Sequence, residues 1–166
     1  MYQRILQFWF TVINPSQWRT IDSEFDKRIT NDYKNLHARA HQSERYQWRE
    51  TARGSLTEII MLDQLLRNMY RGLPIAFASG PLALGLAQQA IFASADAELC
   101  PVERSFLYRP FMHGESVAIH KMGIELYEKD GIESNYKFAL KHKAIIDRFG
   151  RYPHRNKTLG RSSTPR

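Results

Sequence analysis

Apolar residues along this chain return at steps of three and four. Phe25, Ile29, Tyr33, Leu36 and Ala40 make one such stripe, and Ile59, Leu62, Leu66 and Met69 make another. Leu82, Leu86, Ala90 and Ala93 repeat the pattern, as do Phe138, His142, Ile145 and Phe149. This spacing puts each set on one face of an α-helix. The alternation of a half-buried strand is not sustained anywhere. The punctuation agrees. Ser55-Leu56-Thr57-Glu58 has capping-box form, a hydroxyl taking one free amide while a carboxylate reaches back to another. Gly80-Pro81 and Cys100-Pro101 put proline where a first helical turn tolerates its missing N–H, and Glu103 supplies a negative charge near the second start. Gly72-Leu73-Pro74 and Asp130-Gly131 read as turns. The pattern predicts helices over 2–13, 22–42, 54–71, 81–95, 101–113, 115–129 and 133–149, with Pro110 kinking or ending the fifth.

About seven helices joined by short loops predict an all-α fold of stacked antiparallel pairs. No internal repeat is clean and the consensus tetratricopeptide pattern is absent, though a solenoid-like stack of degenerate units fits the helix lengths. No linker divides the chain. Residues 1–149 read as one helical domain, followed by a segment over 150–166 that packs on it or extends from it.

Composition changes this picture little. Of 166 residues, 43% are hydrophobic and 12% aromatic, enough apolar surface to build a core and exclude disorder. No run approaches the roughly 20 uninterrupted apolar residues of a membrane span. The aromatic-rich stretch Ile5-Leu6-Gln7-Phe8-Trp9-Phe10 lacks a small-residue cleavage site, so it reads as core helix and not as a signal peptide. The single cysteine, Cys100, forms no internal disulfide and fits a reducing, cytoplasmic setting, which leaves the sequon Asn156-Lys157-Thr158 without a role. Charge is uneven: Arg151, Arg155, Lys157, Arg161 and Arg166 give the last 17 residues five of the seven net positive charges. Such a tail can meet phosphates or RNA, or can be a solvated end.

Three polar clusters stand out. In Asp63-Gln64-Leu65-Leu66-Arg67-Asn68-Met69-Tyr70-Arg71, Asp63 and Arg67 are four apart, as are Arg67 and Arg71. The helix carrying them is apolar on a second stripe, so Asp63 and Arg67 are expected partly inside, where charges must be paired or bind something. They form an internal ion pair, or a guanidinium held ready for a carboxylate or phosphate. In the second cluster, His113 and Glu115 flank a helix break, where side chains can turn toward a cavity and histidine beside carboxylate suits proton transfer. A satisfied structural histidine fits as well, and the spacing matches no strong zinc motif, so no metal site is assigned. The third cluster, Arg148, Arg151, His154, Arg155 and Asn156 with Phe149 and Tyr152 interleaved, can cradle a phosphate or stack a base. It can equally clamp the helix stack, its arginines capping helix carbonyls. Cys100 lies in no nucleophile motif, and Trp9, Trp18 and Trp48 read as packing anchors.

These blocks, in this order, resemble a bacterial domain-of-unknown-function family, number 924. The resemblance runs from Phe8-Trp9-Phe10 through Leu62-Asp63-Gln64, Arg67-Asn68, Tyr70-Arg71-Gly72, Glu103-Arg104, Phe106-Leu107-Tyr108, Pro110-Phe111 and His113. It closes on Arg148-Phe149-Gly150-Arg151, Pro153-His154-Arg155-Asn156 and Leu159-Gly160-Arg161. It implies a tetratricopeptide-like helical superhelix and carries no activity or cofactor with it. Family members usually have Phe-Pro where this chain has Leu65-Leu66, and Ser where it has Gly114; they also continue a little beyond the position of Thr164. If that hydroxyl contacts a ligand, Gly114 weakens the site.

Three functions compete on this evidence. The first binds an anionic small molecule, phosphate- or carboxylate-bearing, or an RNA element, through Asp63, Arg67, Asn68, Arg71, Arg148, Arg151, Arg155 and Asn156, with His154 beside them. The second is a hydrolase using His113 or His154 with Asp63 or Glu115 as acid–base partners. The third is a peptide-binding scaffold, by analogy of fold.

Overall fold

The computed structural model describes residues 1–163; Thr164, Pro165 and Arg166, the last counted above in the basic tail, lie outside the described residues. Among the described residues every regular element is helical. At the centre runs one rod with a widened middle turn: α3 (Ala52–Ile60), a π-helical turn over Met61–Leu65, and α4 (Leu66–Met69). Residues 54–66 of this rod are all buried, so it is covered on every side, as a helix apolar nearly all round must be. Its start differs from the expected capping box at Ser55. Thr51 is the cap, its Oγ1 accepting from Gly54 N at 3.0 Å, while Ser55 is already inside the helix. Glu58 turns to Arg49 instead, with contacts of 2.6 and 2.7 Å. Gly54 permits the early start, because a Cβ there would lie 1.9 Å from Trp48 O.

Around the rod the other elements pack in turn. α1 (Tyr2–Gln7) continues through a π turn over Phe8–Val12, and α2 (Ser23–His41) begins at Asp22, whose Oδ1 accepts from Glu24 N and Phe25 N. α5 (Gly80–Phe92) and α6 (Pro101–Leu107) also lie against α3, and Glu103, expected in the first turn of α6 for its charge, also reaches back so that its Oε2 accepts from Cys100 N at 3.3 Å. The fifth expected helix is broken at Tyr108, before Pro110, which falls in the first turn of α7 (Arg109–His113), the place its missing N–H costs nothing. α8 (Val117–Asp130) crosses α7 closely; a Cβ on Gly123 would stand 3.1 Å from Phe111 Cβ. α9 (Glu133–Phe149) folds back on α8 through Gly131, in the left-handed region at φ +80°. Trp9, Trp18, Phe10 and Phe106 pack as one aromatic cluster, with ring centroids 4.8–6.4 Å apart.

Residues 74–92 have the length and mean hydropathy, 1.4, of a membrane span, a stretch the reading of uninterrupted apolar runs passes over. Ala83, Ala87 and Ala90 bury one face of its helix in the core. The C-terminal segment leaves α9 at Gly150 and runs back across the junction of α7 and α8, with Tyr152, Arg155 and Asn156 buried. This strap, residues 150–163, is what completes the site.

Candidate functional site

Four pieces of chain meet around a pocket of about 490 Å³: the rod, the stretch from Pro74 to Leu84 that leads into α5, the end of α7 with the residues after it, and the strap. Asp63 comes from the π turn, a feature that recurs at functional sites because it re-aims a side chain within a helix. It is 2% exposed. His113, the last residue of α7, faces it with Nδ1 2.8 Å and 2.9 Å from the two carboxylate oxygens, and Gln64 Nε2 donates to Oδ2 at 2.9 Å. Burial pushes the Asp63 carboxyl up, but the nearby His113 and Arg67 and the hydrogen bonds it accepts outweigh burial and leave it below the usual carboxylate range. Burial first, then the Arg67 charge, pulls His113 down. Both shifts favour an ionised Asp63 beside a neutral His113 imidazole. A carboxylate can only accept, so Nδ1 carries the proton and the lone pair of Nε2, which has no partner among the described residues, is free on the pocket side.

Two guanidiniums share this space. Arg67 Nε lies 3.9 Å from Asp63 Oδ1, a long contact to a carboxylate already engaged with His113. Arg155, 7% exposed, has no carboxylate within ion-pair distance among the described residues; its Nη2 donates to His113 O at 3.0 Å and its Nε is buried without a partner. Burial, then repulsion from Arg67, pulls Arg155 down to about 10. Both cations stand over the Phe77 ring, at 5.1 and 4.6 Å from its centroid, and so no more than about 10 Å apart. The rest of the lining is mostly apolar, with Pro81, Leu84, Ile119 and Leu159.

Glu115 also lines the pocket, but its carboxylate is spent on the strap. It accepts from Arg161 Nη1 at 2.7 Å, Arg161 Nη2 at 2.9 Å and Tyr152 N at 2.8 Å. Arg161 holds it, more than burial opposes it, below its ordinary range. Glu115 is thus the clamp that sets where Arg155 sits. With Arg161 included, three arginines face Asp63 and Glu115, leaving one positive charge over.

The remaining expected site residues are placed elsewhere. Asn68 Nδ2 and Arg71 Nε reach Asp26 of α2 at 2.8 and 2.7 Å, because the helix ends at Met69 and the following turn carries Arg71 off the stripe of Arg67. Arg148 is exposed over Phe149, Arg151 reaches Ser162 O at 3.5 Å, and Asn156 Oδ1 accepts from Arg161 Nε at 3.2 Å. His154 is exposed, beside the Tyr152 ring and outside the pocket lining. Phe77 and Ile119 carry no motif, and Pro81 and Leu159, noted in the sequence as a helix start and in a block of the resemblance, were not legible as site residues. Among the described residues no three or more His, Cys, Asp or Glu side chains gather as a metal-ligand group. Gly114 lines the pocket with room for a side chain, since a Cβ there meets its nearest neighbour at 3.7 Å.

The fold is all-helical among the described residues, with the part-buried His113–Asp63 pair at a pocket that Arg67 and Arg155 also line. The chain belongs to the family described as bacterial protein of unknown function (DUF924), whose model matches residues 5–166. It is similar to the solved structure of a protein of unknown function, ATU0120, from Agrobacterium tumefaciens: 34% identity, TM-score 0.93, with 99% of this chain and 92% of that chain covered. No curated protein matches it.

Proposed function

We propose that the pocket binds a small amphipathic anion, its carboxylate or phosphate group between Arg67 and Arg155 and its apolar part along Pro81, Leu84, Ile119 and Leu159. The observation that carries this reading is Arg155: a buried guanidinium without a carboxylate partner among the described residues, over the same Phe77 ring as the Arg67 guanidinium. An anion would supply the missing counter-charge, and Arg's planar fork suits it. The pocket volume is in the range of small-ligand sites. Calorimetric titration with butyrate and with inorganic phosphate tests it. Binding that weakens in salt and drops at least tenfold in Arg155→Met supports the site; equal affinity in wild type and Arg155→Met removes it.

A hydrolase is the second reading, favoured by the 2.8 Å contact of His113 with Asp63 and not by His154 or Glu115. RNA binding has less support, since Arg155 and Arg161 of the tail are turned inward to His113 O and Glu115. A peptide-binding scaffold rests on fold analogy alone. A cytoplasmic location is supported by the single cysteine.

A further inference from the structure

We propose that the anion for which this pocket is built is one it makes: the site hydrolyses a carboxylic ester with a short apolar acyl group, with His113 Nε2 as general base and Arg67 beside the developing oxyanion. This rests on the anion-pocket reading and extends it. Asp63 fixes the tautomer of His113 and leaves the Nε2 lone pair toward a pocket whose lining is mostly apolar. A neutral ester enters such a lining without the desolvation a charged substrate would suffer. Arg67 lines the same pocket, 3.9 Å from the Asp63 that orients the base, and supplies positive charge for the negative charge that appears only during reaction. A site complementary to the charge that develops lowers the barrier, whereas one that merely holds a ready-made anion does not.

The step balances with water as the sole co-reactant. Nε2 takes a proton from water as the water oxygen bonds the acyl carbon and the carbonyl electron pair moves onto oxygen beside Arg67. Asp63 meets the imidazolium so formed and stays ionised. Collapse breaks the acyl carbon–alkoxy bond, and the leaving alkoxide takes the proton from Nε2. The products are an alcohol and a carboxylic acid, which ionises and remains between Arg67 and Arg155 until released.

The test is the release of p-nitrophenolate from p-nitrophenyl butyrate by wild type, His113→Gln, Asp63→Asn and the exposed-histidine control His154→Gln. Positioned acid–base catalysis is worth about 10²–10⁴-fold. The expected result is a fall of kcat/KM by at least 100-fold in His113→Gln and Asp63→Asn, with His154→Gln at the wild-type rate. Butyrate is expected to inhibit wild type competitively with an inhibition constant equal to its calorimetric Kd, a measurement that needs no variant to fold. Butyrate bound by wild type without hydrolysis above that of His113→Gln overturns the esterase and leaves the anion site standing. An equal loss in His154→Gln also overturns it, by assigning the rate to a surface imidazole. Neither binding nor hydrolysis removes both readings.

Discussion

Replacing Asp63 by Asn removes one negative charge from the pocket while keeping shape and one hydrogen-bond acceptor for His113. The carboxylate touches Arg67 at 3.9 Å, so an anion on the far side of that guanidinium stands about 6–7 Å from Asp63. At an effective dielectric constant near 20, that repulsion is worth about 2–3 kcal/mol. Salt screening trims the figure, and an affinity gain of at least about tenfold for inorganic phosphate is expected at low ionic strength. The fold moves the other way. The amide cannot accept at both oxygens as the carboxylate does from His113 and Gln64, and the lost charge-assisted bonds are worth about 1–3 kcal/mol. In a domain of this size that lowers Tm by roughly 2–12 °C. Calorimetry with phosphate gives the first number and a thermal melt the second. A folded Asp63→Asn protein whose phosphate affinity is unchanged or weaker would show that the two arginines do not face the bound anion.

Other perturbations probe the supports of the site. Glu115→Gln keeps the bond from Tyr152 N but loses the ion pair to Arg161, so stability falls by about 1–3 kcal/mol and butyrate affinity falls with it; a melt and a titration that both match wild type would detach the strap from the pocket. Gly114→Ser adds a hydroxyl at the pocket edge where space exists, and one new hydrogen bond of about 1 kcal/mol should tighten anion binding roughly fivefold by calorimetry; weaker binding would mean the residue does not reach the ligand. His37 is buried beside His41 with Nε2 unpartnered, and burial first, then His41, lowers it from 6.5 to about 4. The unfolded chain therefore takes the proton first, so stability is full above pH 6.5 and falls toward pH 4 by at most about 3 kcal/mol from this group. His37→Leu should flatten that part of the denaturant-measured pH profile, and an unchanged slope would assign it to other groups. Gly54→Ala would drive a Cβ to 1.9 Å from Trp48 O, and a loss above about 3 kcal/mol is expected in urea unfolding; a wild-type midpoint contradicts the close passage.

Helices were legible because their signals are local. Stripes at three and four, proline in first turns and the charge of Glu103 in a first turn need only neighbouring residues, and the boundaries fall within a few residues of the expected ones. The capping box at Ser55 failed for a nonlocal reason: the turn over Tyr46–Glu50 lies so close that Gly54 and Thr51 set the start. At the site, chemistry was legible residue by residue and pairing was not. Asp63, Arg67, His113, Glu115 and Arg155 stood out as charged or titratable groups at breaks and on buried stripes. That Asp63 would meet His113 fifty positions on, or Glu115 meet Arg161 instead of a histidine, is decided by how α7 and the strap cross the rod. Helical spacing also grouped Arg71 with Arg67, and the end of α4 at Met69 separates them.

Because the strap supplies part of the lining of a pocket assembled from four stretches of the chain, any ligand that touches it couples its binding to strap docking. Arg155 lines the pocket beside the contacts of Glu115 with Arg161 and the Tyr152 backbone, and its own Nη2 caps the last carbonyl of α7. An anion that binds Arg155 must stabilise the docked strap by the same free energy with which the docked strap improves anion affinity. Two of the clusters that the sequence presents separately, the one with His113 and the one with Arg155, thus line one pocket. Amide hydrogen exchange over residues 150–163 measures that coupling directly. Protection that rises with saturating butyrate, by the factor the calorimetric affinity requires, is what the linkage demands.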